Sequence, residues 1–262
     1  MTKTILITGS TDGIGLLTAK KLAADGYKVL LHGRSVPKLE SAAAAVGGDV
    51  RTYAADLSDL SAVRKLAESI RAEHDRLDVL INNAGVLKAP QTVLENGQDI
   101  RFAVNTLAPY LLTELLLPII PADGRVVNLS SAAQAPVNIW AMQGNVPLAD
   151  MEAYAQSKLA ITIWTREWAR SQTEAPVMVA VNPGSLLASK MVKEGFGVAG
   201  NDMSIGADIL VDAALGERFA GASGAYFDND SGAFANPHAA ALDKGHVADV
   251  MNTIKGLISQ TA

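Results

Sequence analysis

The chain has 262 residues, 49% of them hydrophobic and 19% charged, with a net charge of −5 and no cysteine. At that length one large domain or two small ones could bury roughly 70 to 75% of the unfolded surface, so a substantial core is available. An acidic balance without a basic block argues against nucleic-acid binding, and the missing cysteines exclude disulfides, thiolate catalysis and cysteine-ligated metals.

The N-terminus, MTKTILITGS, lacks the charged, apolar and small-residue zones of a signal peptide, so the mature protein is expected to start here and to be cytoplasmic. TILIT (4–8) reads as the first strand and leads into TGSTDGIG, Thr8 to Gly15, which opens a helix ending at Gly26. Gly9, Gly13 and Gly15 would allow a tight turn, close approach of a pyrophosphate and close packing of helix on strand. With Ser10, Thr11, Asp12 and Ile14 they form a candidate cradle in which free amides at a helix N-terminus meet phosphates. The GxxxGxG spacing departs from GxGxxG and no GK[ST] follows, so a dinucleotide is preferred over a nucleoside triphosphate. A glycine-rich turn with structural duty alone is the alternative.

KVLLH (28–32) is the second strand. Where a carboxylate would take the adenosine 2′-hydroxyl, the chain reads His32, Gly33, Arg34. A carboxylate repels a 2′-phosphate and an arginine binds it with paired, charge-assisted hydrogen bonds, which points to NADP(H) over NAD(H), with NAD(H) left open. Otherwise Arg34 is a solvated cation beside the helix starting near Pro37. VRTYA (50–54) ends close to Asp56 and Leu57; Asp56 either accepts from the adenine amino group or helps Ser58 cap the next helix, SDLSAVRKLAESIRAEH. DVLIN (78–82) runs into NNAG, where Asn83, Ala84 and Gly85 approach the adenosine ribose unless the stretch is a plain turn.

PYLLTELLLPIIP (109–121) contains Glu114 and Pro118 and falls short of the roughly 20 residues of a membrane span, so it reads as a buried helix and no membrane is expected as a partner. Asn105, in the same apolar run, carries an amide that needs partners if buried; it is a satisfied core residue or part of a site. RVVNLS (125–130) brings Ser130 and Ser131 to a strand end, where adjacent residues face opposite ways and one can point into a crevice. VMVAVN (177–182) is the sixth strand, and a seventh is expected around residues 225–227. Segments 132–153 and 185–203 follow the fifth and sixth strands, at the edge where parallel sheets bind ligands. Trp140, Met142, Leu186, Leu187, Met191 and Phe196 make them apolar enough for a substrate pocket or lid. Strands apolar on both faces and separated by helices imply one doubly wound α/β domain over 1–262, without linker or repeat.

YAQSK puts Tyr154 and Lys158 one helical turn apart, their Cβ atoms roughly 5 to 6 Å from each other. A nearby ammonium could lower a phenol from about 10 by roughly 1 to 3 units. His32, His74, His238 and His246 show no ligand spacing, read as surface or packing residues, and leave no metal expected.

Taken in order, TGxxxGIG, NNAG, a helix asparagine, NLSS, YxxxK and NPG (Asn182 to Gly184) resemble the short-chain dehydrogenase/reductase family over about residues 4–190. The resemblance implies a Rossmann domain with a largely parallel, about seven-stranded sheet and helices on both faces. It implies Tyr154 as general acid/base and Lys158 as the cation that lowers the phenol and holds the nicotinamide ribose. It makes Ser131, rather than Ser130, the donor to the substrate oxygen, and Asn105 the anchor of a water in a proton relay. Pro183 and Gly184 would lie against the nicotinamide. The 23 positions between Ser131 and Tyr154 look like those of the retinol-dehydrogenase-like and carbonyl-reductase-like branches. Extra chain there could cover a surface through which relatives form tetramers, leaving monomer, dimer and tetramer open. The family's threonine beyond PG is replaced by Ala188 or Ser189. The expected substrate is a small carbonyl or alcohol; a catalytically silent NADP(H)-binding sensor of the same fold is the alternative.

Overall fold

A computed structural model of the chain describes residues 2–171, 175–188 and 200–260. β1 (Thr4–Ile7), β2 (Lys28–Gly33), β3 (Val50–Ala54), β4 (Val79–Asn82), β5 (Arg125–Leu129), β6 (Val177–Asn182), β7 (Tyr226–Asp228) and β8 (Ala233–Ala235) form a single sheet in the order β3-β2-β1-β4-β5-β6-β7-β8. All neighbours are parallel except β7 and β8. The sheet thus has eight strands among the described residues rather than about seven. β8 carries only three residues behind a turn at Gly232, too short for an alternation to register in the sequence.

The strands are apolar on both faces because both are covered. Leu30, Leu6, Leu80, Val126 and Met178 lie in register across β2, β1, β4, β5 and β6 and belong to one core. Their neighbours Leu31, Ile7, Ile81, Val127 and Val179 belong to the other. α3 (Leu60–Glu73), α5 (Ala108–Leu116), α7 (Asp150–Ser171) and α9 (Lys244–Ser259) cover the first face; α1 (Gly13–Ala24), α2 (Val36–Val46) and α8 (Met203–Leu215) cover the second. Each fully buried Leu or Ile contributes on the order of 1.5 to 3 kcal/mol of transfer free energy.

Several boundaries differ from the sequence expectation. α3 is capped by Asp59, whose carboxylate accepts the Ser61 N–H at 2.8 Å; Ser58 is instead bound to Asp56 in the preceding turn, at 2.9 Å through its amide and 2.8 Å through its hydroxyl. The apolar run is a helix from Ile100 to Ile119, 20 residues, long and apolar enough to cross a membrane by length and composition, yet 72% of its most apolar 18-residue stretch is buried within the fold. It begins as α4 (Ile100–Phe102) and passes through a π-helical turn at Ala103–Leu107 that contains Asn105. The connection 132–153 holds a short helix, α6 (Ile139–Met142), and its last four residues already belong to α7. Buried Arg101 ties this connection down, pairing with Asp99 and Asp150 at 2.5 Å each. Trp140 is 66% exposed whereas Met142 is buried. Met191 and Phe196 lie outside the described residues.

Candidate active site

The strand order reverses between β1 and β4, and a cleft of about 580 Å³ opens at the C-terminal ends of these strands, where open α/β sheets take ligands. The loop between β1 and α1 forms one wall. Gly9 has a φ of 64°, and a Cβ there would stand 2.9 Å from Ala84 Cα; at Gly15 a Cβ would stand 2.5 Å from Asn83 Nδ2. Backbone is therefore pressed on backbone. Asn83 locks the contact by donating to the carbonyls of Thr8 at 2.8 Å and Gly9 at 3.0 Å, and the Ala84 amide donates to Thr8 Oγ1 at 3.0 Å. Asp12 caps α1, accepting from the Gly13 N–H at 2.7 Å.

Thr11, Asp12, Gly13, Ile14 and Gly15 all line the cleft, as do Asp56, Leu57, Asn83, Ala84 and Gly85. Ser10 does not share it: the side chain is buried, and its hydroxyl accepts the His32 N–H at 3.0 Å, joining the loop to β2. Arg34 lines the cleft from the end of β2, exposed, and Lys38 adds a second cation from the first turn of α2. Lys38 was not singled out in the sequence; its signal was the one-turn spacing from Arg34. A glycine floor at a helix N-terminus beside the cations Arg34 and Lys38 suits an anionic dinucleotide.

His32 is more than a packing residue. It is 1% exposed; its Nδ1 accepts the Gly9 N–H at 3.2 Å and its Nε2 donates to the Ala55 carbonyl at 3.2 Å, which defines a neutral tautomer. Burial lowers its pKa to about 4. The unfolded imidazole, near 6.5, binds its proton first as pH falls, so folding stability should be lost between about pH 6.5 and 4, by about 3 kcal/mol from this group. Urea midpoints of the wild type and of His32→Asn, which keeps an acceptor but cannot titrate, should converge across that window. A constant difference between them would contradict the assignment.

On the opposite wall α7 presents Tyr154 and Lys158. Ser130 and Ser131 diverge as strand geometry requires. Ser130 lines the cleft, its buried hydroxyl 2.6 Å from Thr162 Oγ1 and 3.2 Å from the Lys158 carbonyl; Ser131 is half-buried, its hydroxyl accepts the Ala133 N–H at 3.1 Å and stands beside the Tyr154 phenol, whose pKa it lowers. The Tyr226 hydroxyl on β7 donates to the Ser131 carbonyl at 3.1 Å. Lys158 Nζ sits 5.7 Å from the Tyr154 ring centroid and donates to the Leu129 carbonyl at 2.7 Å. The expected lowering of the phenol is not found. Burial pushes Tyr154 above its ordinary value, only partly offset by the Ser131 hydrogen bond, and burial brings Lys158 down to about 8. Desolvation disfavours the charged form of both groups, raising a phenol and lowering an ammonium, and at this site it outweighs the other contributions.

Asn105 is fully buried. Its Nδ2 donates to the Val86 carbonyl and to Ser157 Oγ, each at 2.9 Å, and its Oδ1 accepts the Val86 N–H at 2.8 Å. The side chain therefore braces the strand end after NNAG against α7. Pro183 lines the cleft, followed by Gly184 with a φ of 119°. Ala188 is described; Ser189 lies outside the described residues.

These features meet in one family. The short chain dehydrogenase family model matches residues 3–196, and the chain belongs to that family. It is therefore an NAD(P)-dependent oxidoreductase acting on a small molecule. It is 33% identical to human retinol dehydrogenase 13 over 258 residues, covering 86% of this chain and 76% of that protein. An uncharacterized protein of Mycobacterium paratuberculosis superposes with a TM-score of 0.83 at 30% identity, covering 98% and 93% of the two chains. A short chain dehydrogenase from Burkholderia cenocepacia J2315 in complex with NADP superposes with a TM-score of 0.70 at 26% identity, covering 88% and 97%.

Proposed function

We propose that the chain is an NADP(H)-dependent oxidoreductase that interconverts a carbonyl and a secondary alcohol on a small, partly apolar substrate. The observation that carries this reading is the convergence of Tyr154 and Lys158 on the same cleft as the glycine loop and Arg34, with the Ser131 hydroxyl beside the Tyr154 phenol. When bound, the nicotinamide supplies or takes up the hydride at its C4.

Tyr154 exchanges the proton. Burial keeps its phenol protonated at neutral pH, the form needed to donate to a carbonyl oxygen during reduction. The Ser131 hydroxyl, beside that phenol, shares the same substrate oxygen and orients it. Lys158 brings a cation held by the Leu129 carbonyl, placed to engage the ribose beside the reacting ring. Asn105 keeps the Val86 backbone and α7 at a constant separation, so that any relay water is held by a rigid frame. Pro183 and Gly184 would hold the nicotinamide, Asn83 to Gly85 the adenosine ribose, and Arg34 with Lys38 the 2′-phosphate.

The name of the human relative puts apolar retinoids among the first substrates to test. Oxidation of NADPH and NADH should be followed against ketones, quinones and aldehydes, retinaldehyde included. Turnover with at least one carbonyl, faster with NADPH, is expected. Tight NADPH binding with no turnover on any carbonyl would overturn the enzymatic reading in favour of a cofactor-binding sensor.

A further inference from the structure

The turn between β7 and β8 carries no role in the reading above, yet its polar side chains bind the loop that follows β6. We infer that Asp230 is a positioning residue for the nicotinamide half of the cofactor, clamping the Asn182–Ser185 loop whose Pro183 lines the cleft. The inference rests on the proposed cofactor for the identity of the group positioned.

The clamp is dense. Asp230 Oδ1 accepts the Ser185 N–H at 2.7 Å, and its Oδ2 accepts the Ser185 hydroxyl at 2.5 Å and Asn182 Nδ2 at 2.9 Å. Asn182 Nδ2 also donates to Asp228 Oδ1 at 2.7 Å, and Asn182 Oδ1 accepts the Gly184 N–H at 3.3 Å. Asn229 closes the other side: its Nδ2 donates to the Pro183 carbonyl at 2.9 Å and its amide to the Asn182 carbonyl at 3.2 Å. Each residue from Asn182 to Ser185 is thus bonded to the turn or to Asn182, itself held by the turn. Burial alone would raise the Asp230 carboxyl, but the hydrogen bonds from Ser185 and Asn182 outweigh it and hold the group ionised below the usual carboxylate range.

The loop needs such a clamp. Gly184 has a φ of 119° and Leu186 a φ of 52°, a left-handed conformation that strains a residue bearing a side chain. Strained backbone of this kind persists where its surroundings over-determine it. The Asp230 carboxylate, which accepts one bond from Asn182 and two from Ser185, thus fixes the residue immediately before the strained Leu186. Loss of its charge would leave the Ser185 donors competing for water and let the Pro183 backbone shift. The adenosine end of the cleft, built from the glycine loop, Arg34 and Asp56, shares none of these bonds.

Two ligands separate a local clamp from a general structural role. Binding of NADPH is measured by its fluorescence, and binding of 2′,5′-ADP, which has no nicotinamide, by calorimetry. Asp230→Asn should weaken NADPH about tenfold and leave 2′,5′-ADP within about twofold, the bonds lost being charge-assisted ones. Ser185→Ala, which removes one of the clamp's bonds and keeps the carboxylate, should show the same pattern at about threefold and serves if Asp230→Asn does not fold. Equal weakening of both ligands, or no change in NADPH, would overturn the inference. Failure of the wild type to bind NADPH would instead overturn the cofactor assignment.

Discussion

Replacing Tyr154 with Phe is expected to lower kcat for carbonyl reduction by about 10² to 10⁴-fold, the usual worth of a positioned proton donor, with the Kd for NADPH within about twofold of wild type. The substitution deletes one hydroxyl whose partner is the Ser131 side chain, and it leaves the ring and the Lys158 ammonium 5.7 Å from its centroid in place. Binding should therefore survive while the acid is gone. Because burial holds the phenol above its ordinary value, wild-type reduction should show no loss from deprotonation of Tyr154 near neutral pH; an alkaline decline would be set first by Lys158, which loses its proton as pH rises through about 8. The check is stopped-flow turnover beside equilibrium fluorescence titration. A Phe variant retaining more than about a tenth of wild-type kcat would remove Tyr154 from the chemistry.

Arg34→Asp should produce the second large effect, a reversal of coenzyme choice. Charge-assisted hydrogen bonds to phosphate are worth about 1.5 to 3 kcal/mol each, so kcat/KM with NADPH should fall about 10² or more, while NADH, which gains a carboxylate for its 2′-hydroxyl, should hold or improve. Arg34 has no ion-pair partner among the described residues, so the substitution should leave the fold intact. Its exposure makes the NADPH preference salt-sensitive, and raising ionic strength should narrow the wild-type ratio of the two coenzymes. Lys38→Ala should move that ratio in the same direction but less. Equal losses with both coenzymes would show that Arg34 holds structure and does not read the phosphate.

The parts of the fold that could be read from the chain were those with local causes. β3 and β6 occupy the expected residues, and β1, β2, β4 and β5 differ by one residue at one end, because strands buried on both faces leave unbroken apolar runs between polar turns. The glycine loop and the YxxxK spacing were legible for the same reason: each is a local geometry that few residue types satisfy. Asp59 and Ser58 are both good caps, by contrast, and Asp56 settled the choice by drawing Ser58 into its own turn. β8 was too short to leave a period, and the tail's chemistry was hidden because Asp230 acts on residues 45 and 48 positions away.

The amino-acid sequence by itself thus determined the strand and helix order, the glycine cradle, the cation at the end of β2 and the shared helical face of Tyr154 and Lys158. The protonation of that pair was decided only when the chain folded, since side-chain spacing sets proximity but dehydration depends on what closes over the site. The same holds for His32, in sequence no more than a surface or packing residue until β1 and β3 bracket it and make its neutral ring the link between Gly9 and Ala55. Coulombic and hydrogen-bond energies depend on three-dimensional distance and on local water, and neither is a property of position along the chain.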